Sequence, residues 1–294
     1  MIAALLWGVA LLAQAPPVKL KVHISVDMEG IAGVVSTDQL SPGSFEYERF
    51  RGFMTREANA AIAGSLAAGA TEIVVADSHG NGENLLIEMF PPEKVRVIRG
   101  FPRRLGMMAG IDSTFDAAVF IGYHASTTNT RGVRAHTFSS AQLTRVAVNG
   151  EEVTEGAWNA AIAGNFGVPV VFVSGDDAVV KEIRDRIGPV SFFETKKALS
   201  FHSAENVMPA AATAGIEAGV REALARRKEF KIYRASAPVT VEIGFKHYRP
   251  VELLSYLTLF TRVDSHTIRF TARDMTEAAD IESFLTSYQI GLEP

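Results

Sequence analysis

Short apolar runs alternate along this chain with longer stretches of helical periodicity. Leu20 to Val26, interrupted by Lys21, His23 and Ser25, reads as a strand that Gly30 brings to a stop. Phe45 to Ala68, rich in Ala, Glu and Arg, reads as a long helix with Gly69 as its C-cap. Further strands are predicted over Glu72 to Ala76, Val95 to Ile98 and Asp116 to Ile121. Leu143 to Val148 alternates apolar and polar residues, and Asn149-Gly150 is a hairpin signal. Thr154 is placed to cap a helix from Glu155 to Phe166, and Val168 to Ser174 reads as a buried strand before another helix. Strand, helix and strand in succession predict an α/β fold, a mostly parallel sheet flanked by helices. After Gly188 the pattern changes to a helix over Asn206 to Phe230, strands over Val239 to Phe245 and Thr267 to Thr271, and a closing helix over Thr276 to Tyr288. A larger domain over 18–190 and a smaller α/β C-terminal domain over 191–294 are expected, with the boundary between Gly188 and Val207.

The first residues differ in kind. Ile2 to Leu12 is one apolar run ending at Ala13-Gln14-Ala15 and Pro16-Pro17. The A-x-A pattern marks residues 1–17 as a secretory signal peptide, and the run is too short for a stable membrane anchor. No Lys or Arg precedes it, so the terminal amine alone supplies positive charge. A secreted or periplasmic location is the expectation.

Composition narrows the chemistry. Hydrophobic residues form 47% of the 294 and charged residues 21%, which excludes a disordered chain. A net charge of −4 gives no reason to expect nucleic acid or anionic membrane as a partner. With no cysteine there is no disulfide, no thiolate ligand and no cysteine nucleophile. Any bound metal would rest on His, Asp and Glu, a donor set suited to zinc, manganese or cobalt.

Asp27 and Glu29 stand two residues apart where the first strand runs out, on one side if the chain stays extended. Converging carboxylates repel and desolvate poorly unless a cation neutralises them, although two solvated acids at a strand end would look the same. Later strands end on similar residues: Asp77-Ser78-His79-Gly80, then Gly122-Tyr123-His124-Ala125. His136 follows twelve residues after His124, and Glu155 opens a helix. Strand C-termini share one edge of an open α/β sheet, and ligands bind there. Asp77 is placed to orient the His79 ring. Tyr123 reads as packing, and Asn159, one turn beyond Glu155, as a substrate contact. Glu155 has a structural alternative as a helix N-terminal acid. His23, His202, His247 and His266 lack partner motifs and are left outside the site.

Taken in order, SVDMEGIAGV, FEYERFRGFMTREAN, ADSHG, IGYHA, AHT and TEGAWNA resemble the D-aminopeptidase (DppA-like) family of zinc metallopeptidases, from Lys19 to the segment around Met275. The resemblance implies two zinc ions held by Asp27, Glu29, His79, His124 and Glu155, with Asp27 bridging. It implies that His136 is a catalytic histidine that is not a ligand, and that copies of the chain form a ring enclosing the sites. Paired metals acidify bound water and polarise a carbonyl, which suits peptide hydrolysis near neutral pH. The loop Ser126 to Arg131 is one residue longer than the family pattern, and it is expected to line the substrate pocket.

The leading reading is a zinc-dependent aminopeptidase acting on short peptides, including D-residue peptides from cell-wall turnover, through a hydroxide on a dinuclear centre. The alternatives are an amidase or phosphatase using the same centre, or a periplasmic binding protein with a structural metal.

Overall fold

The computed structural model describes residues 19–288. The expected signal peptide, 1–17, lies outside the described residues. The core is a seven-stranded sheet. Its strands are β1 (Lys21–Val26), β2 (Glu72–Asp77), β3 (Val95–Ile98), β4 (Ala117–Tyr123), β7 (Val170–Asp176), β8 (Ser191–Ser200) and β9 (Ser203–Asn206). They lie in the order β3-β2-β1-β4-β7-β8-β9, all parallel except β9, which returns antiparallel on β8. Strand order therefore reverses between β1 and β4, the kind of switch point where open α/β sheets bind ligands.

Alternation along β1 divides its side chains between two cores. Val22, Ile24 and Val26 join the core built with helices α1 (Tyr47–Ala67) and α4 (Pro209–Ala225). On the other side Phe120 and Tyr123 of β4 pack with α2 (Glu155–Asn165) and α3 (Asp177–Ile187). Parallel strands covered on both faces carry continuous apolar runs, which is why β2, β4 and β7 were legible in the sequence.

A second, antiparallel sheet has the order β11-β12-β10-β5-β6. It joins β5 (Leu143–Val148) and β6 (Glu151–Glu152) to β10 (Val239–Phe245), β11 (Thr261–Arg262) and β12 (Thr267–Ala272), with α5 (Tyr248–Leu254) and α6 (Met275–Ser287) beside it. The β5–β6 turn has positive φ at both Asn149 (52°) and Gly150 (86°), the geometry expected of Asn-Gly.

The chain does not change sheets where the sequence places its boundary, between Gly188 and Val207. There β8 and β9 extend the large sheet and α4 packs on α1. The 143–152 hairpin belongs to the second sheet although it precedes that boundary. The helix expected over 206–230 begins at Pro209, which lacks the N–H a helix interior needs and suits its first turn. Ser203–Asn206 pairs with β8 instead.

Close approach of the chain aims the end of β1 at β4. The Gly30 N–H donates to the Gly122 carbonyl at 2.7 Å. A Cβ on Gly30 would lie 2.1 Å from the Tyr123 carbonyl oxygen, and one on Gly122 would lie 2.3 Å from that of Asp27. Gly122 also has φ of 71°. That turn in β4 puts Tyr123 on the face opposite Ile121 and leads into His124.

Candidate metal centre

All five expected ligands converge, and each is buried: Asp27, Glu29, His79, His124 and Glu155. Asp27 and Glu29 follow β1, His79 follows β2, His124 follows β4, and Glu155 begins α2. The helix starts there because Thr154 caps it, its hydroxyl accepting the Ala157 N–H at 2.9 Å.

His79 Nε2 lies 2.9 Å from the Leu40 carbonyl. A carbonyl only accepts, so Nε2 carries the hydrogen. The lone-pair nitrogen of the neutral ring, Nδ1, then faces Glu29 Oε2 at 3.0 Å and Asp27 Oδ1 at 3.3 Å. His124 repeats the arrangement with its nitrogens exchanged. Nδ1 donates to the Ala125 carbonyl at 3.1 Å, and Nε2 lies 3.2 Å from Asp27 Oδ2 and 3.3 Å from Glu155 Oε2. Each ring thus turns a lone pair toward two carboxylates, a repulsive arrangement without a cation or a proton between them. Asp27 Oδ2 is buried without a hydrogen-bond donor, even with His124 Nε2 so close. Proximity without hydrogen-bond alignment fits donors arranged around a third body.

Protons fill that role in the metal-free protein. Burial opposes charge on both rings, but Glu29 beside His79 and Glu155 beside His124 raise each imidazole well above its usual range. Burial and the neighbouring Glu29 charge raise Asp27. Burial would raise Glu29 too, but the His79 charge overrides it and holds this carboxyl well below the ordinary value.

The sequence profile of the D-aminopeptidase family matches residues 20–284, which take in all five converging residues and both sheets. The chain belongs to the D-aminopeptidase family. It is 34% identical over 260 residues to a D-aminopeptidase of Bacillus subtilis (strain 168), a match covering 88% of this chain and 94% of that one. A solved structure, described as the Zn-dependent D-aminopeptidase DppA from Bacillus subtilis, a self-compartmentalizing protease, matches with a TM-score of 0.87 at 31% identity. It covers 94% of this chain and 100% of that chain. The chain is accordingly a metallo-aminopeptidase.

The cluster floors a cavity of about 370 Å³. His136 lines it, its ring stacked on His124 with centroids 4.0 Å apart and planes within 8°. His136 Nδ1 donates to the Arg134 carbonyl at 2.8 Å, leaving Nε2 toward the site, 4.0 Å from Glu155 Oε1. Burial and the charge on His124 push its pKa below the usual histidine range. Its donor atom also falls within 4.8 Å of those of His124 and Glu155, so distance alone does not separate ligand from proton carrier.

Two secondary expectations are corrected. Asp77 does not orient the His79 ring. Its carboxylate accepts the Asn84 N–H at 2.6 Å, the Leu85 N–H at 2.7 Å and Asn84 Nδ2 at 2.8 Å, so it ties down the following loop. The Leu40 carbonyl fixes the ring. The loop Ser126 to Arg131 does not line the cavity; Glu182 of α3 holds it through Ser126 and Asn129. Tyr123 does pack, stacked on Phe120, and its hydroxyl donates to Ser25 Oγ at 2.7 Å and accepts from Asn159 Nδ2 at 2.9 Å. His23 is buried, bonded to the Ala109 carbonyl, and its burial lowers it to about 4.

Sequence reasoning missed two residues. Lys196 is fully buried, donating to the Glu29 and Val34 carbonyls, each at 2.6 Å, and so bracing the loop that bears the first two acids. Burial lowers its amine to about 8. In Lys196-Lys197 nothing local distinguishes a buried lysine from a solvated one. Glu282 of α6 lines the cavity, and its burial raises it to about 8. It looks like any helix-surface acid in sequence.

Proposed function

We propose that the chain is a zinc-dependent aminopeptidase that releases the N-terminal residue of short peptides, D-residues included, at a two-zinc centre. The carrying observation is Asp27, whose two oxygens face separate imidazole–carboxylate pairs. Asp27, Glu29 and His79 would hold one ion, and Asp27, His124 and Glu155 the other. Three carboxylates and two imidazoles leave coordination positions open, as catalytic sites require and closed structural sites do not. When bound, the zinc pair supplies acidified water and a polarised scissile carbonyl.

The chain's own groups do the rest. Leu40 and Ala125 carbonyls hold both ligand rings in the tautomer that offers a lone pair. Phe138 and Trp158, edge to face at 5.3 Å, give the cavity an apolar side. His136 Nε2, which bears a lone pair while Nδ1 holds the ring hydrogen, would take a proton from the attacking water and deliver it to the departing amine nitrogen, which must be protonated to leave.

The deciding experiment loads purified protein with zinc and offers D- and L-aminoacyl p-nitroanilides beside a phosphate ester. Release of nitroaniline, faster from the D-substrates, is expected. Turnover of the ester alone would mean a phosphatase, and no turnover with bound zinc would mean a metal-stabilised binding protein.

We further propose export, on the apolar run Ile2 to Leu12 and the Ala13-Gln14-Ala15 pattern; outside the cytoplasm, D-alanyl peptides from cell-wall turnover would be a supply of substrate. Mass spectrometry of the protein from its host should then find a mature terminus at or near Pro16; an intact Met1 would rule export out. Assembly into a ring draws support from Tyr248, Leu253, Tyr256 and Leu257, apolar side chains exposed in and just after α5. Sedimentation should give a closed oligomer, and a monomer at micromolar concentration would contradict it.

A further inference from the structure

An exopeptidase that acts at the N-terminus must recognise a free terminal amine, and the cavity offers acceptors for it beyond the ligand cluster. The lining of that cavity includes an acid with no cationic partner among the described residues. Glu282 is only 6% exposed. Among the described residues its carboxylate has one hydrogen bond, accepted at Oε1 from the Thr286 hydroxyl at 2.9 Å, and no salt bridge. A buried carboxylate without a counter-charge is costly, and helix α6 has solvent-facing positions where a Glu would cost nothing. Glu282 instead faces the cavity that holds the ligand cluster.

A neutral acceptor shares that cavity. Asn159, on α2, packs in the same helix pair as α6. Its Nδ2 is engaged by the Tyr123 hydroxyl at 2.9 Å and by Met107 Sδ at 3.1 Å. Both partners favour the amide nitrogen on that side, which leaves Oδ1 as its remaining polar atom. An anionic acceptor and a neutral one, with no Lys or Arg among the described residues that line the cavity, make a site for a cationic donor.

We propose that Glu282 is the amine-binding residue, receiving the α-ammonium of the substrate with Asn159 Oδ1 as a second acceptor. This rests on the aminopeptidase reading and adds its requirement for a free N-terminus. Among the described residues Glu282 shares no hydrogen bond with a ligand residue, and the zinc content of each variant separates its replacement from metal binding. A bound ammonium also supplies the counter-charge that lets this carboxyl, held at about 8 by burial, ionise near neutral pH.

The test uses zinc-loaded wild type, Glu282→Gln and Glu282→Asp, with zinc content measured for each. Calorimetry compares D-alaninamide with N-acetyl-D-alaninamide, which differ in the charged amine. Wild type should bind the free amine at least about tenfold more tightly. Glu282→Gln should lose about 10- to 100-fold for D-alaninamide, the scale of a hydrogen bond between charged groups, and little for the acetylated probe. Glu282→Asp should recover part of the loss. On D-alanyl p-nitroanilide the defect should fall on KM more than on kcat. Equal loss for both probes, or a wild type indifferent to acetylation, would overturn the proposal. Wild-type turnover whose preference for the free amine survives Glu282→Gln would overturn this assignment alone. Absence of both turnover and amine selectivity in wild type would overturn the aminopeptidase reading with it.

Discussion

His136 is where one side chain decides most. Its Nδ1 is committed to the Arg134 carbonyl, so its chemistry resides on Nε2. Burial and His124 keep the ring neutral near pH 7, able to accept a proton there and pass it on. His136→Ala is expected to keep its full metal content and to bind a product-like amino acid. Its kcat should fall by about two to four orders of magnitude, the scale of a lost general acid or base. Loss of zinc in this variant would make His136 a ligand, and an unchanged kcat would make it a bystander. At this scale the sequence was informative where a residue stands at the end of an apolar strand. Asp27, His79 and His124 could be read that way, because strand ends share an edge. Lys196 and Glu282 could not. Their importance comes from what lies across the fold from them, the Glu29 and Val34 carbonyls in one case and the cavity in the other.

At the scale of elements, the end of β1 is held by neighbours on three sides. Lys196 takes the Glu29 carbonyl, Thr195 Oγ1 donates to the Gly30 carbonyl, and Glu57 of α1 accepts the Ala32 N–H at 2.9 Å. Glu57 Oε2 is buried without a partner, and burial raises this carboxyl to about 7. Native protein therefore retains a proton that the unfolded chain releases above about 4.5. The stability this contributes is complete below that pH and disappears as pH rises through 7. Glu57→Gln keeps the acceptor for Ala32 and cannot ionise. Its stability relative to wild type should rise between pH 5 and pH 8, by up to about 3 kcal/mol. Urea unfolding of the two metal-free proteins at both pH values measures this; a difference independent of pH would show that Glu57 ionises normally in the fold. Elements were legible to different degrees for related reasons. Strands covered on both faces announce themselves as apolar runs, and Asn149-Gly150 marks its own turn. Ser191–Ser200 has one face half open and mixed polarity, so β8 carried no comparable signal. Pairing of β5 with β10, nearly a hundred residues apart, is a tertiary choice that no local pattern records.

For the molecule as a whole, the centre exists because two sheet neighbours, β1 and β4, end at the point where strand order reverses, with β2 and α2 closing around them. In the proposed two-metal centre one carboxylate, Asp27, would serve both sites. Removing it should leave two incomplete ligand sets with two cations facing each other across the gap, so metal and activity should be lost together while the fold persists at lower stability. Elemental analysis of the purified protein tests this most directly, with aminopeptidase activity followed in parallel. Wild type should carry two zinc ions per chain, lose activity when EDTA strips them and regain it on zinc addition, and Asp27→Ala should bind fewer than one. A wild type free of metal whose activity survives EDTA, or an Asp27→Ala variant that keeps two ions and full activity, would contradict the two-metal centre.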